Sequence, residues 1–245
     1  MNKKHNNISD FVWLEANRFS SKHCNMFLSS FSQIVTYREF LNIIMERHKK
    51  VTKDYLKKSK IFQKYIHEQR SGTLTKSQLK LLEERRRKHP ILHLDIESFY
   101  LFSKILLDKV ARFIEFYFGK VRCKSFDSHD KLVKNLSDYV KAKGINLPEE
   151  FEKTVNRLKK DVSDFRDKEI AHEKSPRTIR GISFNDKGQV GIFSTQLYPT
   201  DINKQTQTKY LTDLLCDIGL YLDQVMLLVR CNKNRTNLEL NDRQK

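Results

Sequence analysis

Apolar residues recur along most of this chain at the three- and four-residue spacing of a helix, and only one stretch departs from it. The first pattern predicts a helix capped by Ser9 or Asp10 and running through Phe11, Phe27, Phe31, Ile34, Leu41 and Ile44. Past residue 48 its stripe thins to Val51, Tyr55, Ile61, Phe62, Tyr65 and Ile66, the pattern of a long helix projecting from a core. Ser71-Gly72-Thr73 turns the chain. Thr75 to Lys88 then reads as a returning arm that packs through Leu79, Leu81 and Leu82 and is closed by Pro90.

Leu92, Ile96, Phe99, Leu106, Val110, Phe113 and Tyr117, widened by Tyr100, Ile105, Leu107 and Ile114, predict a central core helix reaching Gly119. Asp127 or Ser128 caps a shorter helix that Gly144 ends. Asn146-Leu147-Pro148-Glu149-Glu150 starts another, with carboxylates toward the helix dipole, and Phe151, Val155, Leu158, Val162 and Phe165 continue it. The exceptional stretch is Thr178 to Phe193, where two short runs flank Asn185-Asp186-Lys187-Gly188 as in a β-hairpin. Leu211, Leu214, Leu215, Ile218, Leu222, Val225 and Val229 build a last core helix. The expected fold is all-α: a helical core of residues 1–45 and 90–232, a basic helical hairpin arm at 46–89, one β-hairpin at 178–193 within the core, and a frayed charged tail at 233–245. A chain of 245 residues with only 7 Gly and 4 Pro suits long helices better than many short strands.

Charge changes the picture. The formal net charge is +17, and Glu46 to Lys88 holds fifteen lysines and arginines against five acids. Such a block attracts a polyanion and binds phosphates by counterion release; the alternatives are a solvated helical face or contact with an anionic membrane surface. The residues taken to contact RNA are Lys53, Lys57, Lys58, Lys60, Lys64, Arg85, Arg86, Arg87 and Lys88.

Cys24, Cys123, Cys216 and Cys231 have neither zinc-finger nor disulfide-framework spacing, and His89 and His93 are separated by Pro90, so no metal and no cofactor is expected. The opening Met1-Asn2-Lys3-Lys4-His5 lacks the apolar region of a signal peptide. Asp217 and Asp223 interrupt the best apolar run, which predicts no membrane span and a cytoplasmic, reducing location. Phosphate-loop, dinucleotide-binding and nucleophile-elbow motifs are absent.

The candidate chemistry is at Phe165-Arg166-Asp167-Lys168-Glu169-Ile170-Ala171-His172. An arginine to hold a phosphate and a histidine to move a proton are the minimal parts for cutting RNA without a metal. Both also suit a helix end as a cation pair complementing the dipole. Continuing the helical count from Phe151 brings His172 onto the buried stripe, while Arg166 sits about 120° around the axis. One helix does not bring both to one phosphate, so the motif reads as half a site completed across a twofold seam. On the central helix Asp95, Glu97 and Lys104, with Lys104 spaced to pair with Asp108, are either a solvated edge or support for the site.

Arg166-Asp167-x-x-x-x-His172 resembles the R-x(4–6)-H motif of the HEPN superfamily of ribonucleases and nucleotide-binding proteins. Asp95-Ile96-Glu97-Ser98-Phe99-Tyr100 and the segment Arg166 to Gly181 look like its abortive-infection and toxin branch. The resemblance covers roughly residues 92–230, with 46–88 as an elaboration. It implies a HEPN-like helical bundle and a dimeric, metal-independent endoribonuclease. His172 would act on the 2′-hydroxyl or the leaving 5′-oxygen, Arg166 would neutralise the pentacoordinate phosphate, and Asp167 would position one of them, leaving a 2′,3′-cyclic phosphate and a 5′-hydroxyl. A bound noncoding RNA or an antitoxin would restrain it. The rival reading is an RNA-binding or interaction protein on the same fold that does not cut.

Overall fold

Two long helices carry much of the chain: α2, Ser21–Glu68, and α3, Lys76–Phe118. The computed structural model describes residues 8–68, 74–122, 124–164, 178–184, 190–196, 206–207 and 210–241. The other helices are α1 (Ile8–Ala16), α4 (His129–Lys143), α5 (Phe151–Leu158) and α6 (Leu211–Cys231). The protein is mostly helical. No helix among the described residues is long and apolar enough to cross a membrane. The chain divides into two units, one of Met1–Glu39, Phe102–Phe165 and Leu215–Lys245, the other of Phe40–Leu101 and Arg166–Leu214.

In the first unit the core is aromatic. Phe27 and Phe31 on α2 stack with ring centroids 6.0 Å apart, Phe11 of α1 lies 5.3 Å from Phe31, and Phe113 of α3 meets Phe31 edge-on at 5.2 Å. On α3, which passes through both units, Leu92, Ile96, Phe99, Leu106, Val110, Phe113 and Tyr117 are all buried, because the 3.6-residue period keeps those positions on one face. α4 has the predicted caps: Ser128 Oγ accepts from the Lys131 amide, and Gly144 closes the helix at φ +61°.

Four features differ from expectation. The first helix is two helices, because residues 17–20 turn away to pair with the C-terminal segment. The Ser20 amide donates to the Glu239 carbonyl and the Asn241 amide to the Arg18 carbonyl, each at 2.9 Å. The tail expected to fray is therefore docked as far as Asn241, with Leu238 buried and the Asn237 amide donating to the Tyr117 carbonyl. Pro90 does not close the arm, since α3 runs through it. An internal proline costs about 3 kcal/mol or more, a penalty opposed here by the buried Leu92, Asp95 and Ile96 immediately beyond. Finally, α5 passes after Leu158 into a π-helical segment, Lys159–Asp164. Its wider turns shift the phase of whatever follows, so the count from Phe151 to His172 cannot be carried across it.

In the second unit the two long helices run antiparallel. Phe62 meets Arg85, Lys58 meets Glu84, Asp54 meets Lys88 and Arg47 meets Asp95, so one partner's number falls as the other's rises. α3 begins with a capping box: Thr75 Oγ1 accepts from the Gln78 amide while Gln78 Oε1 accepts from the Thr75 amide at 2.7 Å. The backbone of β1 (Thr178–Phe184) pairs antiparallel with β2 (Val190–Gln196), Gly181 opposite Phe193, and β2 pairs with β3 (Thr206–Gln207). Residues 185–189, assigned from sequence to the turn, lie outside the described residues.

Gly119 and Gly144 both have positive φ, but a methyl group at Gly119 would come within 2.8 Å of Asn237 Cγ, whereas at Gly144 the nearest atoms, on Arg235, are 3.7 Å away. Gly144→Ala should cost about 1 kcal/mol of backbone strain, and Gly119→Ala clearly more, because the docked tail must also move. Urea denaturation of the two variants checks the order; equal losses would contradict it.

Candidate nucleic-acid interface

The expected RNA-contacting residues divide into two groups. Lys53, Lys57, Lys60, Lys64, Arg86 and Arg87 are exposed. Lys58, Arg85 and Lys88 instead help hold the two helices in register. Lys58 Nζ bridges Asp54 at 3.1 Å and Glu84 at 3.0 Å, Lys88 Nζ lies 3.3 Å from Asp54, and the Arg85 guanidinium stacks 4.9 Å above the Phe62 ring. The hydrogen bond from Lys58 is the main cause of the lowered pKa values of both Asp54 and Glu84, and Glu84 is the main cause of the raised pKa of Lys58.

Farther along the same helix pair, Asp95 is fully buried. Arg47 Nε donates to its Oδ1 at 2.7 Å and a second guanidinium nitrogen reaches the same oxygen. His48 Nδ1 lies 3.7 Å from Oδ2, too far for a hydrogen bond, and neither ring nitrogen has a hydrogen-bond partner. Burial lowers the His48 pKa against the opposing pull of Asp95. Arg47, half exposed at 51%, is therefore the cation that neutralises Asp95. Glu97 is exposed and is not part of this cluster.

Lys104 belongs to a different cluster, in the first unit. It pairs with Asp108 at 3.2 Å, as its spacing predicts, and with Asp130 at 2.8 Å. Asp108 also accepts the His129 amide at 2.7 Å. The His129 ring is fully buried, edge-on to Tyr221 with centroids 5.8 Å apart, and neither ring nitrogen is hydrogen-bonded. Burial, reinforced by Lys104, lowers its pKa to about 3. Asp95 and Lys104 thus serve separate charge clusters, and no local spacing marks His48 or His129 as their neighbours.

Arg166, Asp167 and His172 lie outside the described residues, so the structure does not relate them to Asp95, Glu97 or Lys104. His89 and His93, brought one turn apart by the unbroken helix, have ring centroids 4.5 Å apart. No group of three metal-ligating side chains occurs among the described residues. Comparison with protein-family models, curated proteins and solved structures finds no match.

His129 has a testable consequence for stability. With its folded pKa below the unfolded value near 6.5, the unfolded chain binds the extra proton, so stability is complete above about pH 6.5 and falls as pH drops toward 3. His129→Phe removes this contribution. Between pH 7 and pH 5 the wild type should lose about 2 kcal/mol more than the variant, as measured by urea denaturation. Parallel pH profiles would overturn this assignment.

Proposed function

We propose that this protein captures RNA on the cationic hairpin of α2 and α3 and cleaves it, without a metal, at a site built from Arg166, Asp167 and His172. The observation that carries the first half is the hairpin's uncompensated charge. Of its four described carboxylate side chains, Asp54 and Glu84 are paired with Lys58 and Lys88, leaving Glu46 and Glu83 against the exposed Lys53, Lys57, Lys60, Arg86 and Arg87. Lys53 and Lys57 are one helical turn apart, so they share a face and suit a run of phosphates.

The second half rests on the Arg166 to His172 motif and its HEPN resemblance. In this reading the helices are a HEPN-like bundle carrying one small β-hairpin, and two copies of the chain complete the site. His172 moves the proton of the 2′-hydroxyl or of the leaving 5′-oxygen, and Arg166 holds the phosphate as charge builds on it. Asp95, bound to Arg47 and beside His48, holds the α2–α3 register rather than touching RNA. A noncoding RNA or an antitoxin would restrain the cut, in the manner of an abortive-infection or toxin system. The second reading, RNA binding without cleavage, draws on the same observation, since the cationic hairpin alone accounts for capture.

His172→Ala and Arg166→Ala should each abolish cleavage of a labelled RNA in EDTA while changing its affinity less than about threefold. A five-fold alanine variant at Lys53, Lys57, Lys60, Arg86 and Arg87 should bind at least tenfold more weakly, with a shallower salt dependence. Cleavage that survives both motif changes would exclude the nuclease reading, and RNA capture without cleavage by the wild type would favour the second.

A further inference from the structure

Gly119 ends α3 with φ +82°, and the chain turns at once, the Lys124 amide donating to the Val121 carbonyl at 3.1 Å. This turn carries Lys120, Arg122 and Lys124, and α4 presents Lys131 and Lys134 one turn apart. Together they line an open groove of about 590 Å³. A second groove of about 490 Å³ shares Glu115 and Lys120 with it and adds Arg112 and the half-buried Phe116.

Acidic groups compensate this surface only in part. Glu115 is buried, and its carboxylate accepts the Phe126 amide at 3.2 Å. Lys124 pairs with Asp138 at 2.7 Å and Lys131 with Asp127. Lys120, Arg122 and Lys134 are exposed, and none has a carboxylate within ion-pair distance among the described residues. Three unpaired cations therefore border a concave surface, with an aromatic ring in the adjoining groove. Proteins that hold single strands combine the same elements, a positive channel for the backbone and an aromatic face for a base. The groove's volume of about 590 Å³ falls in the range of small-ligand sites.

We infer that this groove is a second binding site for the phosphate backbone of single-stranded RNA, distinct in sequence from the α2–α3 hairpin. The inference rests on the reading of RNA as the ligand. It makes Lys120, Arg122 and Lys134 the phosphate contacts and Phe116 the surface on which a base stacks.

The test uses the full chain carrying His172→Ala, so that no cut intervenes, and fluorescence anisotropy of a labelled single-stranded RNA over a range of salt. Lys120→Ala/Arg122→Ala/Lys134→Ala should weaken binding on the order of tenfold to a hundredfold near 0.1 M salt. It should also lower the salt slope by about two, the share of three phosphate contacts on a single strand. Lys22→Ala/Lys141→Ala/Lys233→Ala removes the same charge from exposed positions outside the groove and should change both quantities far less. Phe116→Leu should weaken binding without altering the slope. If the two triple variants bind alike while the hairpin variant loses RNA, the groove assignment fails and the RNA reading stands. If the parent protein binds no RNA at all, both fail.

Discussion

The second unit is shaped by a shortage of carboxylates. Two helices rich in lysine and arginine lie side by side, and their mutual repulsion opposes the packing of a thin apolar seam. Three of the acids are placed between the helices, where they oppose it. Asp54 holds Lys58 and Lys88, Glu84 holds Lys58 from the other helix, and the buried Asp95 holds Arg47. The same acids that fix the register are thereby withdrawn from the remaining cations, so the antiparallel pairing and the exposed positive surface have one cause. Exposed ion pairs are individually weak, which makes the buried Asp95 pair and the Arg85–Phe62 stack the firmer parts of the register.

The first unit handles polarity differently. Glu15, Arg18 and Tyr117 join α1, the turn after it and α3: Tyr117 donates to Glu15 at 3.0 Å and accepts from Arg18 at 3.1 Å. Arg18 also donates to the Lys233 carbonyl at 2.9 Å, tying the C-terminal segment to the same point. Burial raises the Tyr117 pKa, which keeps the phenol protonated and able to donate. Here a satisfied polar cluster specifies where four pieces of chain meet. His129 is the contrast, a buried ring held by packing against Tyr221 and kept neutral by its surroundings.

What the sequence made legible follows from the range of the interactions involved. The Leu92 to Tyr117 stripe, the caps of α4 and the Lys104–Asp108 pair are local, fixed by helical period and neighbouring residues, and each stands where the pattern places it. The break before Ser21, the docked tail and the passage of α3 through Pro90 depend on contacts distant in sequence, as when Ser20 meets Glu239. The site divides in the same way. A block of cations is visible as composition, but that Lys58 and Lys88 are tied down while Lys53 and Arg86 are exposed depends on which face of each helix meets the other. Arg47 and Asp95 are 48 residues apart, and nothing between them announces the pair. The cationic groove escaped notice because its residues come from a turn and a separate helix, each unremarkable alone.

The π-helical segment matters most for the proposed chemistry. A motif read as half a site depends on the direction in which an unbroken α-helical count from Phe151 would carry it. With Lys159–Asp164 wound more widely, the α-helical count that runs through Val155 and Leu158 does not carry past this segment. A separation of about 120° between Arg166 and His172 holds only for about 100° per residue throughout. The π-helical turns remove that geometric demand for a second copy of the chain, so in the proposed function the dimer is a requirement of the HEPN resemblance and not of helix geometry.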